Sequence, residues 1–330
     1  MERFILHCIA RLATVDQQQH SVELDIFYMV AIPIRKHKTI GQKVVPLVPR
    51  HRLTHDLTVL GAGAWGSALA YLANYAQNRT LIWSRRGEVS LDAAISAAPV
   101  LLSAISMKGV RPTIDKIRKL GLSKGTVIVT ATKGFDPETF KTPSQLWQAA
   151  FPDNPVVVLS GPNLSKEIVA GLPSATVVSS SDQRAAEQVQ KLFASDCFRV
   201  YTNADPLGTE LGGTLKNVVA IAVGICDGLK LGTNAKAALM TRALSEIMGV
   251  GIHLGAKPET FIGLAGLGDM LATCSSNLSR NFRVGYGLAQ GKSLQVVLTE
   301  LQSTAEGVNT AHVLMRLAKK SGVAIPVTQQ

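Results

Sequence analysis

A chain of 330 residues that is 46% hydrophobic, with a mean hydropathy of +0.20, has room for two domains and is too apolar to stay disordered. It has no uninterrupted run of about 18 apolar residues, so stable membrane insertion is not expected. The formal charge of +11 suits anionic small molecules as well as nucleic acid; no zinc-finger, RRM or helix-turn-helix signature supports the latter, and no nucleic-acid partner is expected.

Residues 1–55 stand apart, with eight basic residues against four acids, five of the seven histidines and no sustained hydrophobic period. They lack a signal-peptide core and make a weak transit peptide. The segment is read as an extension of unknown role with the pattern of a poorly ordered stretch; a basic arm for nucleic acid or a membrane surface is the lesser alternative. The scattered cysteines (Cys8, Cys197, Cys226, Cys274) form no CxxC and no metal spacing, so the expectation is a reducing, cytoplasmic setting without a metal site.

From Asp56 the pattern becomes strand, glycine turn, helix. LTVLGAG (57–63) predicts a strand and residues 64–75 a helix, followed by strands in RTLIW (79–83), PVLLSAI (99–105), TVIVTAT (126–132), PVVVLSG (155–161), SATVVSS (174–180) and VYTN (200–203). Strands alternating with helices predict an α/β fold, with residues 56–205 as an N-terminal doubly wound Rossmann domain with a mainly parallel sheet. After Asp205-Pro206 the strand signal vanishes, and residues 206–330 predict an all-helical C-terminal domain.

Gly61, Gly63 and Gly66 form GAGAWG at the first strand-to-helix turn. There glycines permit the tight turn, the approach of a pyrophosphate and close helix–sheet packing. An acidic residue at the end of the second strand would bind a ribose 2′-hydroxyl; Arg85 and Arg86 stand there instead and suit a 2′-phosphate, so NADP(H) is favoured and NAD(H) remains possible. Lys133 ends the TATKG strand on the ligand-binding edge. SGPNLSKE (160–167) brings Gly161, Asn163 and Ser165 to the same crevice, with Asn163 as a helix cap the plainer alternative. TELGGTLKNVVAIAVGICDG (209–228) predicts a buried helix carrying one cation, Lys216, on the stripe of Thr209, Gly212, Gly213, Ala220, Val223 and Asp227. The two glycines are read as leaving open space beside the ammonium, whose burial draws its pKa toward neutrality, as a general acid/base needs. Asp269 lies at a glycine-rich helix start, Ser279, Arg280 and Asn281 combine as a phosphate cradle, and Glu306 and Asn309 sit in a polar turn. Residues 316–320 are read as a solvated helix face.

The ordered set GAGAWGSALA, ATKG, GPNLSKE with GLPSA, ELGGTLKN, GLGD, SRN and AEG resembles the soluble bacterial-type NAD(P)-dependent sn-glycerol-3-phosphate dehydrogenases over residues 57–326. The resemblance implies reversible reduction of dihydroxyacetone phosphate to sn-glycerol 3-phosphate, supplying glycerophospholipid synthesis, with Lys216 as the proton acceptor. It also implies substrate contacts at Lys133, Gly161, Asn163, Lys216, Asp269, Ser279, Arg280 and Asn281. Cofactor contacts are implied at Trp65, Arg85, Arg86, Lys133, Ser165, Arg280 and Glu306, beside the glycines Gly61, Gly63 and Gly66; a homodimer is left open. Serine or threonine is commoner in the family where this chain has Asn163. Residues 1–55 lack a counterpart, the stretch between residues 86 and 99 is shorter than usual and is expected to remove part of the second crossover, and the family's closing helix is expected beyond Gln330, which marks the helical domain as C-terminally truncated. The alternatives are a β-hydroxy-acid dehydrogenase of the same plan and a non-catalytic dinucleotide-binding regulator.

Overall fold

Seven short apolar runs form a single sheet in the computed structural model, which describes residues 55–96, 98–301 and 305–330. The extension expected over residues 1–55 lies, His55 apart, outside the described residues. The strands are β1 (Leu57–Leu60), β2 (Thr80–Trp83), β3 (Val100–Ser103), β4 (Val127–Thr130), β5 (Val156–Ser160), β6 (Ser174–Ser179) and β7 (Phe198–Asn203). Their order is β2-β1-β3-β4-β5-β6-β7, and every neighbouring pair is parallel except β5–β6. The order reverses between β1 and β3, and in such a sheet ligands bind beyond the carboxyl ends of the strands beside that switch.

The central strands are buried on both faces, which is why they read as continuous apolar runs rather than as alternation. Leu57, Val59, Leu102, Val129 and Val157 face one layer, with α1 (Ala64–Tyr75) and α6 (Gln183–Phe193). Leu60, Leu101, Ile128 and Val156 face the other, with α2 (Leu91–Ile95), α3 (Met107–Leu120) and α4 (Pro143–Ala150). The shortened stretch after Arg86 still completes its crossover. Ser90 Oγ accepts from Ala93 N at 3.1 Å to cap the five-residue α2, Thr58 Oγ1 donates to Ala94 O at 2.8 Å, and β3 pairs parallel to β1. The strand before the glycine turn stops at Leu60, because Gly61 leaves the extended region at φ 118°. β7 starts earlier than the sequence pattern suggests, because Phe198 and Arg199 pair with Ser174 and Ala175.

The second half is built around α7 (Pro206–Gly228). Pro206 takes the first helical position, where its missing N–H costs nothing. Asp205 caps the helix, accepting from Gly208 N at 2.9 Å, and its other oxygen accepts from Lys257 N at 2.9 Å and Thr260 Oγ1 at 2.7 Å. α7 is the helix among the described residues that is long and apolar enough to cross a membrane, yet 78% of its apolar window is buried within the fold. Its neighbours are α8 (Gly232–His253), α9 (Pro258–Ile262), a π-helical turn (Leu264–Gly268), α10 (Asp269–Cys274), α11 (Arg280–Ala289) and α13 (Glu306–Ser321), with α12 (Leu294–Leu301) and α14 (Pro326–Gln329) outside them. Leu211, Leu215, Val219 and Val223 share a core with Met240, Ile247, Phe261, Val313 and Leu314.

α7 and α11 cross at backbone contact. A Cβ on Gly285 would run into the Ile221 carbonyl and lie 2.9 Å from Ile225 N, and one on Gly224 would strike the Phe282 carbonyl. Gly285→Ala should therefore destabilise the chain by about 1–3 kcal/mol through overpacking. The check is urea denaturation of both proteins; an unshifted midpoint would contradict the close crossing.

Candidate active site

The first glycine turn has the form a pyrophosphate needs. Gly61 sits at positive φ, and a Cβ on Gly66 would strike the Gly61 carbonyl, so helix and strand meet closely. A Cβ on Gly63 would meet nothing within 4 Å, which leaves the backbone at the N-terminus of α1 open to a ligand. Trp65 is tied down by its indole N–H, which donates to Ala131 O at 3.1 Å beside the end of β4. Arg85 and Arg86 are exposed just beyond β2, and neither is in a salt bridge with a described residue. These features fit a dinucleotide.

Lys133, just past β4, and Lys216, in the middle of α7, converge on one carboxylate. Asp269 opens α10, is 2% exposed, accepts from Lys133 Nζ at 2.7 Å on Oδ2 and takes Lys216 Nζ on Oδ1. Lys216 also donates to Thr273 Oγ1, one turn along α10 from Asp269. Burial drives the Lys216 pKa down to about 8; the Asp269 charge opposes that shift and the Lys133 charge adds to it. The amine is thus held ready to gain or lose a proton near neutral pH.

The glycines before Lys216 do not leave the open space that the sequence suggested. A Cβ on Gly212 would lie 2.8 Å from the Ala265 carbonyl, and one on Gly213 would run into Ser160 Oγ with Lys133 Cε at 3.4 Å. They allow the π-helical turn and the end of β5 to close against α7, and that closure brings Asp269 and Lys133 within reach of Lys216.

Ser279 caps α11, its Oγ accepting from Phe282 N at 3.2 Å, and exposed Arg280 starts the helix. Asn281 Oδ1 accepts from Gly307 N at 3.0 Å, and a Cβ on Gly307 would lie 2.6 Å from the Asn217 carbonyl. The SRN and AEG segments are thereby gathered beside the residue that follows Lys216. Glu306 opens α13 instead of sitting in a polar turn; burial raises its pKa, while the charges of Arg280, Lys133 and Lys216 act to lower it.

Gly161 lies against β6, where a Cβ would come 2.9 Å from Thr176 Cα. Asn163 is no helix cap, since Leu164 holds that position in α5 (Ser165–Val169). Its amide instead donates to Ala175 O at 2.9 Å and accepts from Thr176 Oγ1 at 2.9 Å, so it fastens the turn to β6. Ser165 is the first residue of α5 and is half-buried. Thr273 escaped the sequence reading, although its spacing of one turn from Asp269 was a usable signal. Arg316 lies on the solvated face expected over residues 316–320 and is exposed, yet it also donates to Pro137 O at 3.0 Å and lies 4.8 Å from the Phe140 ring centre, bracing the loop after Lys133.

Two family models match the chain: the N-terminus of NAD-dependent glycerol-3-phosphate dehydrogenase over residues 86–186, and its C-terminus over residues 205–330. A glycerol-3-phosphate dehydrogenase [NAD(P)+] of Synechocystis sp. is 62% identical over 83% of this chain and 87% of its own length. Its counterpart from Nostoc sp. is 60% identical over 83% of this chain and 89% of its own. The crystal structure of the glycerol-3-phosphate dehydrogenase of Coxiella burnetii superposes with a TM-score of 0.80 at 31% identity, covering 84% of this chain and 93% of that one.

The Asp269 charge holds the Lys216 pKa up against burial. Asp269→Asn should therefore drop that pKa below about 8, as followed by NMR titration of a nitrogen-labelled lysine side chain. A midpoint that stays put or rises would contradict the pairing.

Proposed function

The chain belongs to the NAD-dependent glycerol-3-phosphate dehydrogenase family, and from that premise we propose that it catalyses the reversible NAD(P)H-dependent reduction of dihydroxyacetone phosphate to sn-glycerol 3-phosphate. Supply of glycerol phosphate for glycerophospholipids is its metabolic place in this reading. The observation that carries the mechanism is the buried Lys216 amine paired with a carboxylate that also holds Lys133.

Gly61, Gly63, Trp65 and Gly66 would hold the cofactor's pyrophosphate region, and Arg85 and Arg86 a 2′-phosphate, so NADP(H) is preferred. Lys133, Ser165, Arg280 and Glu306 complete that set. When bound, the cofactor supplies the hydride. Ser279, Arg280 and Asn281 take the substrate's phosphate at the start of α11, where guanidinium and helix N-terminus both favour an anion. Lys133, Gly161 and Asn163 border the same crevice. Protonated Lys216 donates to the substrate oxygen as negative charge develops on it, and in the reverse direction the neutral amine removes the hydroxyl proton. Asp269 and Thr273 fix the direction of the amine. A buried ammonium near a developing alkoxide acts in a low-dielectric setting, where its charge counts for more than in water.

Oxidation of NADPH by the purified chain with dihydroxyacetone phosphate tests the reading directly. Lys216→Ala should remove turnover while NADPH binding, followed by fluorescence, persists; near-normal turnover would refute the assigned role. Because reduction needs the protonated amine, its rate should fall as pH rises through about 8, whereas glycerol 3-phosphate oxidation needs the neutral amine and should fall as pH drops through the same value. Parallel profiles in the two directions would exclude Lys216 as the proton carrier.

A further inference from the structure

We propose that Ser160 is a positioning residue for Lys133: its hydroxyl is the second partner of that ammonium, and the exchange from Asp269 to Ser160 leaves Asp269 undivided for Lys216 during turnover. The inference rests on the function proposed above. Ser160 ends β5, is 2% exposed, and its Oγ is fully buried without a hydrogen-bond partner. Three other buried hydroxyls in or beside the sheet are bonded: Thr58 to Ala94 O, Ser179 to Asn203 O and Ser180 to Val156 O, at 2.7 to 2.9 Å. Among the described residues, Thr130 in β4 and Thr209 in α7 are the other hydroxyls fully buried without a partner, but each also offers a methyl group to pack. A serine offers nothing beyond alanine except its hydroxyl, and an unbonded buried hydroxyl is unfavourable.

The position of that hydroxyl indicates its partner. Ser160 Oγ and Lys133 Cε converge on the point where Gly213 would carry a Cβ, one turn before Lys216 on α7. In the proposed exchange, rotation about the last bonds of the flexible lysine stem takes its ammonium from Asp269 Oδ2 toward Ser160. Lys133 is the less buried amine of the cluster, with a side chain 20% exposed against 7% for Lys216. As long as it stays on Asp269, it divides the carboxylate and its charge lowers the proton affinity of Lys216. Once it moves to Ser160, Lys216 keeps the carboxylate and its proton, and Lys133 faces the incoming phosphorylated substrate.

The test compares the full-length chain with Ser160→Ala and Ser160→Cys. Both variants should melt at the wild-type temperature or above, since each loses an unbonded hydroxyl. Both should lose about tenfold in kcat/KM for dihydroxyacetone phosphate, the size of one charge-assisted hydrogen bond. The pH midpoint of the reduction should move to lower pH. Calorimetric affinity for sn-glycerol 3-phosphate, read without turnover, should fall in the wild-type background and stay unchanged when Ser160→Ala is added to Lys133→Ala. Wild-type kinetics in either variant, or an equal loss of affinity in both backgrounds, would overturn the assignment of Ser160 alone. Absence of turnover in the unmutated chain would instead overturn the function, and this inference with it.

Discussion

One carboxylate between two ammonium groups organises the centre of the protein. Asp269 is almost fully buried, and a buried charge is tolerated only when paired and hydrogen-bonded. Lys216 and Lys133 supply the pairing from two different parts of the chain, α7 and the end of β4. The cluster retains an excess of positive charge, to which Arg280 adds at the start of α11. An anionic substrate is the complement of such a centre, and its arrival relieves repulsion between the two amines.

That carboxylate reaches its place because α7 can be approached closely on several sides. Gly212 admits the π-helical turn that leads into Asp269, Gly213 admits the end of β5, and Gly224 admits α11 with its SRN start. The insertion of a π turn immediately before Asp269 also shifts the phase of the following helix, and such turns frequently mark functional sites. The same glycines that would weaken an isolated helix are what allow this one to be the hub. Packing around it, rather than intrinsic propensity, holds α7 together.

The strands, the glycine turn and the switch to helices after Asp205 were legible in the sequence because each leaves a local signature: apolar runs, GxGxxG, and Pro at a helix start. The antiparallel step from β5 to β6 was not, since strand pattern carries no direction. The lone cation in an apolar helix drew attention to Lys216, which the fold buries against Asp269. What escaped was tertiary. The role of Gly212 and Gly213 depends on atoms of Ala265 and Ser160, far along the chain, and a glycine reads the same whether it faces space or backbone. Thr273 looks like any helical threonine until Asp269 and Lys216 meet beside it. Arg316 lies in a charge run that suggests solvent, and only the fold brings Phe140 and the Pro137 carbonyl under it.

A perturbed pKa does not by itself separate a catalytic group from a structural one, and α7 contains shifts in both directions. Burial raises Glu210 to about 7 and lowers Lys216 to about 8, so both are drawn toward neutrality by the same desolvation. Their partners differ. Glu210 accepts from Ser144 N at 2.9 Å and takes Ser144 Oγ on its other oxygen, which satisfies an open donor in the first turn of α4 and joins the helical half to the sheet half. Both carboxyl oxygens are engaged by Ser144, and Glu210 is buried. With its folded pKa raised from 4.5, this carboxyl contributes its full stability below that unfolded value and loses it as pH rises through about 7. Lys216, by contrast, shares its acceptor with Lys133, a partly exposed residue. In the proposed reaction, the exchangeable partner, more than the shift, is what suits Lys216 to pass a proton to something that arrives from outside.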